Sequence, residues 1–378
     1  MYALSQQNNK RIAKNTLLLY FRMLFSMGIG LFTSRIVLES LGIEDYGIYN
    51  LVGGIVTIFA FLNSAMIATS QRFISYELGK GNLHKLKDVF CTTLTIHIAI
   101  AFIIVVLSEV IGVWFLNTKL NIPSDRMMAA NWTLQLSIFV FAVNVISVPY
   151  NASIVAHEKM SAFAYISIFE VSLKLAIAYL LLFISYDKLI VYSILVFCVA
   201  LLLRSLYCFY CKRHFEECHY TFSFNIEQFR EMFAFAGWSL VGNLGFSFKD
   251  QLSNILLDLF FGTVVNAARG ISVQVGSLIN SFSANFMMAM NPQITKSYAV
   301  GDLYRSKELV YAGCRFSFYL LAVISLPIMI NITYILNLWL VEVPQYTDIF
   351  LILTIVCNLL YAISSCLLYT SDAADDLL

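Results

Sequence analysis

The sequence has very little charge. Of its 378 residues only 12% are Asp, Glu, Lys or Arg, while 60% are hydrophobic; soluble domains carry about 25% charged residues. This composition excludes an ordinary soluble domain and predicts an integral membrane protein. The net charge of +1, without a basic stripe that could follow a phosphate backbone, gives no support for a nucleic acid partner.

The sequence also lacks the short motifs of several enzyme classes. It has no glycine-rich phosphate loop, metalloprotease helix or nucleophile elbow, which argues against ATP hydrolysis by this chain. Cysteines and histidines do cluster at residues 208–219, in a number that could ligate zinc, but their spacing matches no standard zinc site. We therefore expect no metal and no cofactor.

Long apolar segments are abundant. Windows of about 20 apolar residues, the length that crosses a bilayer as a helix, lie at residues 17–38, 46–70, 89–116, 130–152, 161–184, 189–210, 233–257, 264–290, 311–338 and 347–369. Each segment is a long continuous run without the alternation of barrel strands. The sequence predicts an all-α polytopic membrane protein with about ten transmembrane helices.

The charges between the segments predict their orientation. Basic residues lie before the first segment, at residues 10–14, and after the second, at 72–87, whereas the turn between these segments carries Glu39, Glu44 and Asp45. Because short loops rich in Lys and Arg stay on the cytoplasmic side, the N-terminus is expected to be cytoplasmic.

Two polar inner loops are similar. They are QRFISYELGKGNLHKLK at residues 71–87 and QITKSYAVGDLYRSK at 293–307. Both contain Gly, which permits a turn, followed by Asn or Asp, which can cap the next helix. One interpretation is that any inner loop needs these residues. The other is a duplication with an offset of about 220 residues, which relates segments one to four to segments seven to ten.

The duplication predicts a parallel repeat of six-helix lobes, because a shift of six segments preserves orientation. The lobes are expected at residues 1–215 and 216–368, the second with four of its six helices present. Residues 369–378, YTSDAADDLL, resemble a translated adapter sequence, so we expect a non-native tail there, with a native acidic tail as the alternative.

A family resemblance lies in the run SRIVLESLGIEDYGIYNLVGGIVTIFAFLNSAMIATSQRFISYELGKGN, residues 34–82, and again in NPQITKSYAVGD, residues 291–302. The chain resembles the polysaccharide-transporter branch of the multidrug/oligosaccharidyl-lipid/polysaccharide exporter superfamily, in particular bacterial lipopolysaccharide and O-antigen flippases. The resemblance implies two six-helix lobes around a central cavity in the bacterial inner (cytoplasmic) membrane. It also implies a cargo of undecaprenyl-diphosphate-linked oligosaccharide, the repeat unit of O-antigen or capsule.

Such a cargo needs cations that face a wet cavity. A charge at the centre of a membrane helix costs about 2.5–3.5 kcal/mol, so it is expected to face protein or water. The predicted cavity cations are Arg35, Lys174, Lys249 and Arg269. Arg22 and Arg204 also lie within segments, and we interpret them as side chains that snorkel to the membrane surface.

Polar residues recur at helical spacing on segments seven and eight. Such stripes either line a cavity that contacts sugars or permit tight packing between helices. The predicted polar lining is Asn243, Ser247, Asn254, Ser272, Asn280 and Ser283.

Two acids are candidates for coupling transport to a Na⁺ or H⁺ gradient during alternating access, Glu170 and Asp250. A structural role explains either acid equally well. In particular, Glu170 and Lys174 lie four residues apart and form either a self-neutralising pair or part of the site.

Two other classes share part of this pattern. A multidrug or cation antiporter of the same superfamily would have the same lobes, but its cavity would be acidic. A polytopic glycosyltransferase or glycan polymerase could use Glu44 and Asp45 as an acidic pair, against the simpler interpretation of a solvated turn.

Overall fold

The computed structural model describes residues 2–57, 59–118, 120, 122–221, 226–261, 263–339 and 343–374. These residues form twelve α-helices, short 3₁₀ and π-helical turns and connecting loops, and no β-strand occurs among them. The prediction of an all-α membrane protein is therefore confirmed.

The helices follow the predicted segments closely. Their bounds are α1 (Tyr2–Thr57), α2 (Ala60–Lys80), α3 (Leu83–Leu107), α4 (Val113–Thr118), α5 (Met127–Ala156), α6 (Met160–Leu180), α7 (Lys188–His214), α8 (Ile226–Phe261), α9 (Thr263–Ala299), α10 (Leu303–Ile330), α11 (Ile332–Trp339) and α12 (Thr347–Ala374). The second segment is divided between α1 and α2, and the ninth between α10 and α11 at Asn331. Helix α12 includes the first residues of the predicted tail, whose last four lie outside the described residues.

Six described stretches are long and apolar enough to cross a membrane: Lys10–Gly42, Leu83–Thr118, Met127–Ala156, Met160–Phe183, Lys188–His214 and Leu303–Ile330. They coincide with predicted segments one, three, four, five, six and nine. A shorter apolar helix covers Thr347–Ile363. The chain is thus a multi-pass membrane protein.

Glycine determines where the first two segments separate. Within α1, Gly42 has φ +80° and ψ 168°, outside the helical region and readily available only to glycine. The helix therefore kinks at Gly42, at the turn that the acidic residues of the sequence mark.

The two similar loops have the same local structure. Gly81 and Gly301 both have positive φ, and their amides donate to the carbonyls of Leu78 and Tyr298 at 3.3 and 3.0 Å. The next residue caps the following helix in each case. Asn82 Oδ1 accepts from the Lys85 amide at 3.2 Å, and Asp302 Oδ1 accepts from the Arg305 amide at 3.0 Å. The turn and cap chemistry expected from the sequence is present in both loops.

The chain divides into two compact units. The first lobe is Leu17–Leu240; the second lobe combines the segment ending at Thr16 with the chain from Val241 onward. The predicted lobe boundary at residue 215 stays a prediction.

Helix α5 is the central helix of the first lobe, where it packs against α2, α3 and α7. Its buried side includes Tyr150, whose ring meets that of Phe90 edge-on with 5.4 Å between centroids. Polar contacts join the same helices, since Ser193 Oγ of α7 donates to Thr133 Oγ1 of α5 at 3.1 Å. This bundle holds the side chains of the site described below.

In the second lobe α9, α10 and α12 pack against one another. Helices α9 and α12 meet at Gly276, whose carbonyl accepts from Asn358 Nδ2 at 2.8 Å. A Cβ on Gly276 would overlap Thr354 Cγ2. A side chain at this position would therefore disturb the packing of α9 against α12.

Candidate functional site

A polar cavity of about 340 Å³ lies inside the first lobe, between helices α1, α2, α5, α6 and α7. Its volume falls in the range of small-molecule sites, about 300–1,000 Å³. Most binding pockets are lined mainly by apolar side chains, but the polar members predominate here. They are the charged Arg22, Glu170 and Arg204, the amides of Asn63, Asn144 and Asn151, and the hydroxyls of Ser147, Ser167 and Tyr207.

Helical periodicity brings these side chains to one place. On α5 the lining residues Asn144, Ser147 and Asn151 are three and four residues apart, so they lie on one face of the helix. On α7 Arg204 and Tyr207 are similarly three apart. The polar faces of several otherwise apolar helices therefore converge on the cavity.

The two arginines rest on aromatic rings. The guanidinium carbon of Arg22 lies 4.8 Å from the ring centroid of Phe163, and that of Arg204 lies 5.7 Å from the centroid of Tyr150. Such cation–π contacts orient a guanidinium without neutralising its charge. The charged groups of the lining are therefore two guanidinium groups and the Glu170 carboxylate.

Several lining atoms have no hydrogen-bond partner among the described residues. They are Arg204 Nη1, a donor, together with Asn63 Oδ1 and Asn151 Oδ1, which are acceptors, and all three are buried. An unsatisfied buried polar group costs about 1–3 kcal/mol. The cavity can therefore gain from a ligand that offers both acceptors, such as phosphate oxygens, and donors, such as sugar hydroxyls.

Glu170 is held by a neighbour on its own helix. Lys174 Nζ lies 2.6 Å from Glu170 Oε1, one turn further along α6. Glu170 lines the cavity and Lys174 is not among its lining residues. The two residues thus form the predicted ion pair, and Glu170 also contributes to the site.

The remaining predicted cations and acids are spread over the chain. Arg35 lies exposed on α1, and Arg269 lies half-buried on α9. The side chains of Lys249 and Asp250 lie outside the described residues, as do those of Asn243, Ser247 and Asn254 on the same helix. Their assignment to a substrate site stays a prediction.

On α9 the predicted polar stripe is partly a packing surface. Ser272 is fully buried, and its hydroxyl donates to the carbonyls of Ala268 at 2.8 Å and Thr347 at 3.2 Å. Ser283 is also buried, and Asn280 is half-buried. For Ser272 the observed contacts are those of a helix-packing residue, one of the two interpretations that the sequence left open.

Two arginines of the cavity lining are not among the cavity cations predicted from the sequence. The interpretation of Arg22 and Arg204 as snorkelling side chains differs from the structure, in which both line the cavity. The signal that could have found them is the amide spacing on α5, where Asn144 and Asn151 interrupt an apolar run on one helical face.

An ion cluster outside the cavity ties three segments of the first lobe together. Arg126, just before α5, donates to Asp45 of α1 and to Asp187, the N-cap of α7. The hydrogen bond with Asp187 raises the pKa of Arg126. Burial alone would raise the pKa of Asp187, but Arg126 and the backbone amides of Ile190 and Leu189 together hold it below its ordinary value.

A second polar contact joins the end of α5 to the turn after α7. His157 Nε2 lies 2.6 Å from Glu217 Oε1, and the His157 ring stacks on Phe215 with 4.0 Å between centroids. Nearby, Cys211 Sγ donates to the Tyr150 carbonyl at 3.4 Å. Within the described ranges no group of three or more His, Cys, Asp or Glu side chains is arranged to hold a metal ion.

The sequence is similar to that of one known protein family. Residues 12–297 match the sequence model of the family described as polysaccharide biosynthesis protein. The uncharacterized membrane protein EpsK of Bacillus subtilis (strain 168) is 19% identical over 285 residues, which cover 74% of this chain and 55% of that protein. The chain spans about half the length of this curated relative.

Solved structures show the fold. The MATE transporter VcmN of Vibrio cholerae in its bent form superposes with a TM-score of 0.77 at 15% identity, over 96% of this chain and 85% of that one. An outward-facing multidrug resistance MATE family transporter of the MOP superfamily gives a TM-score of 0.76 at 12% identity, over 94% and 80% of the two chains. The fold is therefore that of a MATE-like transporter with two lobes. Because the family match covers well over half of the sequence, the chain belongs to the polysaccharide biosynthesis protein family.

Proposed function

We propose that the protein is a bacterial inner-membrane flippase that moves undecaprenyl-diphosphate-linked oligosaccharide, the repeat unit of O-antigen or capsule, by alternating access. The family and the fold point to a membrane transporter, and we propose that the chain is not an enzyme. The observation that carries the choice of cargo is the first-lobe cavity, which combines Arg22 and Arg204 with amides and hydroxyls.

The chemistry of this cavity fits the head of such a lipid. A diphosphate must cross about 30 Å of hydrocarbon, and guanidinium groups bind phosphate oxygens through paired donors. Amides such as Asn63 and Asn151 can accept hydrogen bonds from sugar hydroxyls. Because about 340 Å³ is much smaller than an oligosaccharide, the cavity would take the diphosphate and the adjoining sugar, while the rest of the glycan lies outside it.

The proposal includes an orientation and an energy source. The N-terminus is placed in the cytoplasm, in accordance with the basic residues that precede the first span. Transport is coupled to Na⁺ or H⁺, and membrane lipids surround the apolar helices. Lys249, Arg269 and Asp250 on α8 and α9, with Arg35 on α1, are proposed as further groups on the transport path.

The two alternative classes are less well supported. A multidrug antiporter that exports cations would need a cavity of negative charge, whereas the charged lining consists of two arginines and one glutamate. A glycosyltransferase based on Glu44 and Asp45 would need both acids accessible. Both Asp45 oxygens accept hydrogen bonds from Arg126, which gives this residue a structural role.

Translocation in vesicles tests the proposal. The purified protein is reconstituted with fluorescent undecaprenyl-diphosphate-linked oligosaccharide, and the labelled lipid that reaches the outer leaflet is measured over time. We expect Arg204→Gln to reduce the rate at least about tenfold, since each contact to a charged group contributes about 1.5–3 kcal/mol. Arg230→Gln, an exposed arginine of α8 outside the cavity lining, is the matched control.

Two outcomes of this experiment would contradict the proposal. If wild-type protein moves no labelled lipid but expels a cationic dye from the same vesicles, the multidrug alternative is correct. If it moves the lipid and Arg204→Gln does so at the same rate, the cavity does not bind the cargo.

A further inference from the structure

A carboxylate outside the cavity lies within a membrane-spanning stretch of the first lobe. Glu109 belongs to Leu83–Thr118 and lies on the π-helical turn Ser108–Gly112 that follows α3. Nε2 of Gln135 on α5 donates to Oε2 of Glu109 at 2.8 Å, and both side chains are half-buried. Ionisable residues in membrane spans and π-turns inside helices are both frequent at functional sites. This carboxylate is therefore a candidate binding group.

The position of Glu109 along the helix is that of a lipid headgroup. The last charged residue before the apolar run of α3 is Asp88, and the run begins at Val89. Glu109 comes twenty positions after Val89, a distance of about 30 Å at 1.5 Å per residue. Because the hydrocarbon core of a bilayer has the same thickness, Glu109 lies at the far edge of the core.

The surface around the carboxylate is apolar and exposed. On α3 it includes Val106 and Val110, which are both exposed. On α5 Trp132, Gln135 and Phe139 are three and four residues apart, so they share one face of the helix, and both aromatic rings are exposed. Exposed apolar side chains on membrane-spanning helices contact acyl chains. The carboxylate and its amide partner therefore border a lipid-facing surface.

The groups that this place offers to a ligand are acceptors. Among the described residues Gln135 is the only hydrogen-bond partner of Glu109, and no ion pair involves this carboxylate. Gln135 uses Nε2 for that bond, so its Oε1 is available as an acceptor. The indole ring of Trp132, one turn away and 53% exposed, attracts cations to its face. Together these groups fit a cation that donates hydrogen bonds.

A pair of amides holds this arrangement in place. Asn117 of α4 and Asn131 of α5 exchange two hydrogen bonds, at 3.1 and 3.2 Å. Asn131 directly precedes Trp132 and lies one turn before Gln135. The exchange therefore holds the helix that follows the π-helical turn against the start of α5. Because the two amides satisfy each other, they position the site and do not bind the ligand.

We propose that Glu109, Gln135 and Trp132 bind the ammonium headgroup of a phospholipid. The carboxylate is the counter-ion, the amide oxygen is a second acceptor, and the indole face lies against the ammonium group. A primary ammonium, as in phosphatidylethanolamine, has N–H donors for both oxygens, whereas the quaternary ammonium of phosphatidylcholine has none. The acyl chains lie along the exposed apolar residues of α3. This inference depends on the membrane location and is independent of the cargo proposed above.

Native mass spectrometry of the purified full chain tests the site. The protein is equilibrated in detergent with equal amounts of phosphatidylethanolamine and phosphatidylcholine of identical acyl chains, and the ratio of the two bound lipids is measured. We expect wild type to bind roughly fivefold more of the ethanolamine lipid, and Glu109→Gln to bring the ratio to about one. Glu39→Gln, at an exposed acid of α1 in the same lobe, is the matched control and should keep the wild-type ratio.

Glu109→Gln also separates a lipid site from simple helix packing. The new amide oxygen can still accept the hydrogen bond from Gln135, so a role limited to packing predicts an unchanged lipid ratio. An unchanged ratio in this variant, or a wild-type ratio of about one, overturns the inference.

A second variant keeps the test decisive if Glu109→Gln does not fold. Trp132→Leu changes an exposed ring, and we expect it to lower the lipid ratio at least about twofold. The wild-type ratio in Trp132→Leu would then overturn the inference.

A soluble amine distinguishes a lipid site from a site for small cations. Free ethanolamine is added in large excess to wild type that carries bound phosphatidylethanolamine. We expect the bound lipid to stay, because its acyl chains also contact the apolar surface. Displacement of the lipid would show that the site takes a soluble amine and would overturn the assignment to phospholipid.

Discussion

Arg126 and Asp187 form a two-point contact at the start of α7. Nη1 of Arg126 donates to Oδ2 of Asp187 at 2.7 Å, and Nη2 donates to Oδ1 at 3.3 Å. Asp187 Oδ1 also accepts from the amides of Leu189 and Ile190, so one carboxylate both caps α7 and holds the residue before α5. Because α5 and α7 carry much of the cavity lining, this contact helps to position the candidate site.

The Asp187 carboxylate gives a prediction about pH. Its pKa in the folded protein lies below the ordinary value of 3.8, so its contribution to stability is complete above that value and is lost as the pH falls through the lower, folded-state pKa. We expect the melting temperature of wild type to fall more steeply below about pH 4 than that of Asp187→Asn. Thermal melting in detergent between pH 7 and pH 3 measures this difference.

Glu216→Gln is the control for this experiment, since Glu216 is an exposed acid of the same lobe. Its melting curve should keep the wild-type dependence on pH. Identical pH dependence in Asp187→Asn and wild type would show that the contact with Arg126 does not stabilise the fold.

The arginine shared by the two carboxylates gives a prediction about the free energy of unfolding. Arg126→Gln leaves Asp45 and Asp187 without their shared cation, and both side chains are half-buried, at 17% and 31% exposure. We expect a loss of about 1.5–3 kcal/mol in the free energy of unfolding, measured by denaturant titration at neutral pH. A loss below that of the exposed-site variant Arg230→Gln would contradict this account.

Close packing in the second lobe makes a separate prediction. Gly276→Ala places a Cβ against Thr354 and 3.3 Å from Asn358 Nδ2, so the Thr354 side chain or the two helices must shift, at a cost of about 1–3 kcal/mol. Gly270→Ala, on the same helix, meets no atom within 4 Å and should stabilise the helix by up to about 1 kcal/mol. Melting temperatures of the two variants should therefore shift in opposite directions, and a shift of the same sign in both would contradict the observed packing.

The two similar loops predict matched effects. Asn82 and Asp302 each cap a helix through one side-chain oxygen, so Asn82→Ala and Asp302→Ala should each lower stability by about 1 kcal/mol. Denaturant titration of both variants measures this loss. A clear loss in one variant and none in the other would show that the loops are not equivalent in energy.

Much of the fold could be predicted from the sequence because local chemistry determines it. Long apolar runs require helices in a membrane, and Gly81 followed by Asn82, like Gly301 followed by Asp302, specifies a turn and a cap within a few residues. These signals depend on near neighbours only, and the structure reproduces them.

The site was harder to predict because it depends on which helical faces meet. Arg22 and Arg204 are 182 positions apart, and neither carries a local mark that distinguishes a cavity residue from a snorkelling one. Ser272 shows the same difficulty in reverse, since its place in a polar stripe suits either a cavity or the contact with Thr347 that the structure shows. Such choices depend on tertiary packing, which the spacing of residues along one helix does not contain.

The most direct test of the account is the translocation of fluorescent undecaprenyl-diphosphate-linked oligosaccharide by the variant Arg22→Gln/Arg204→Gln in vesicles. We expect this folded variant to move the labelled lipid at the rate of protein-free vesicles, while wild type and Arg230→Gln move it rapidly. Wild-type translocation by the double variant would contradict the claim that the first-lobe cavity carries the cargo.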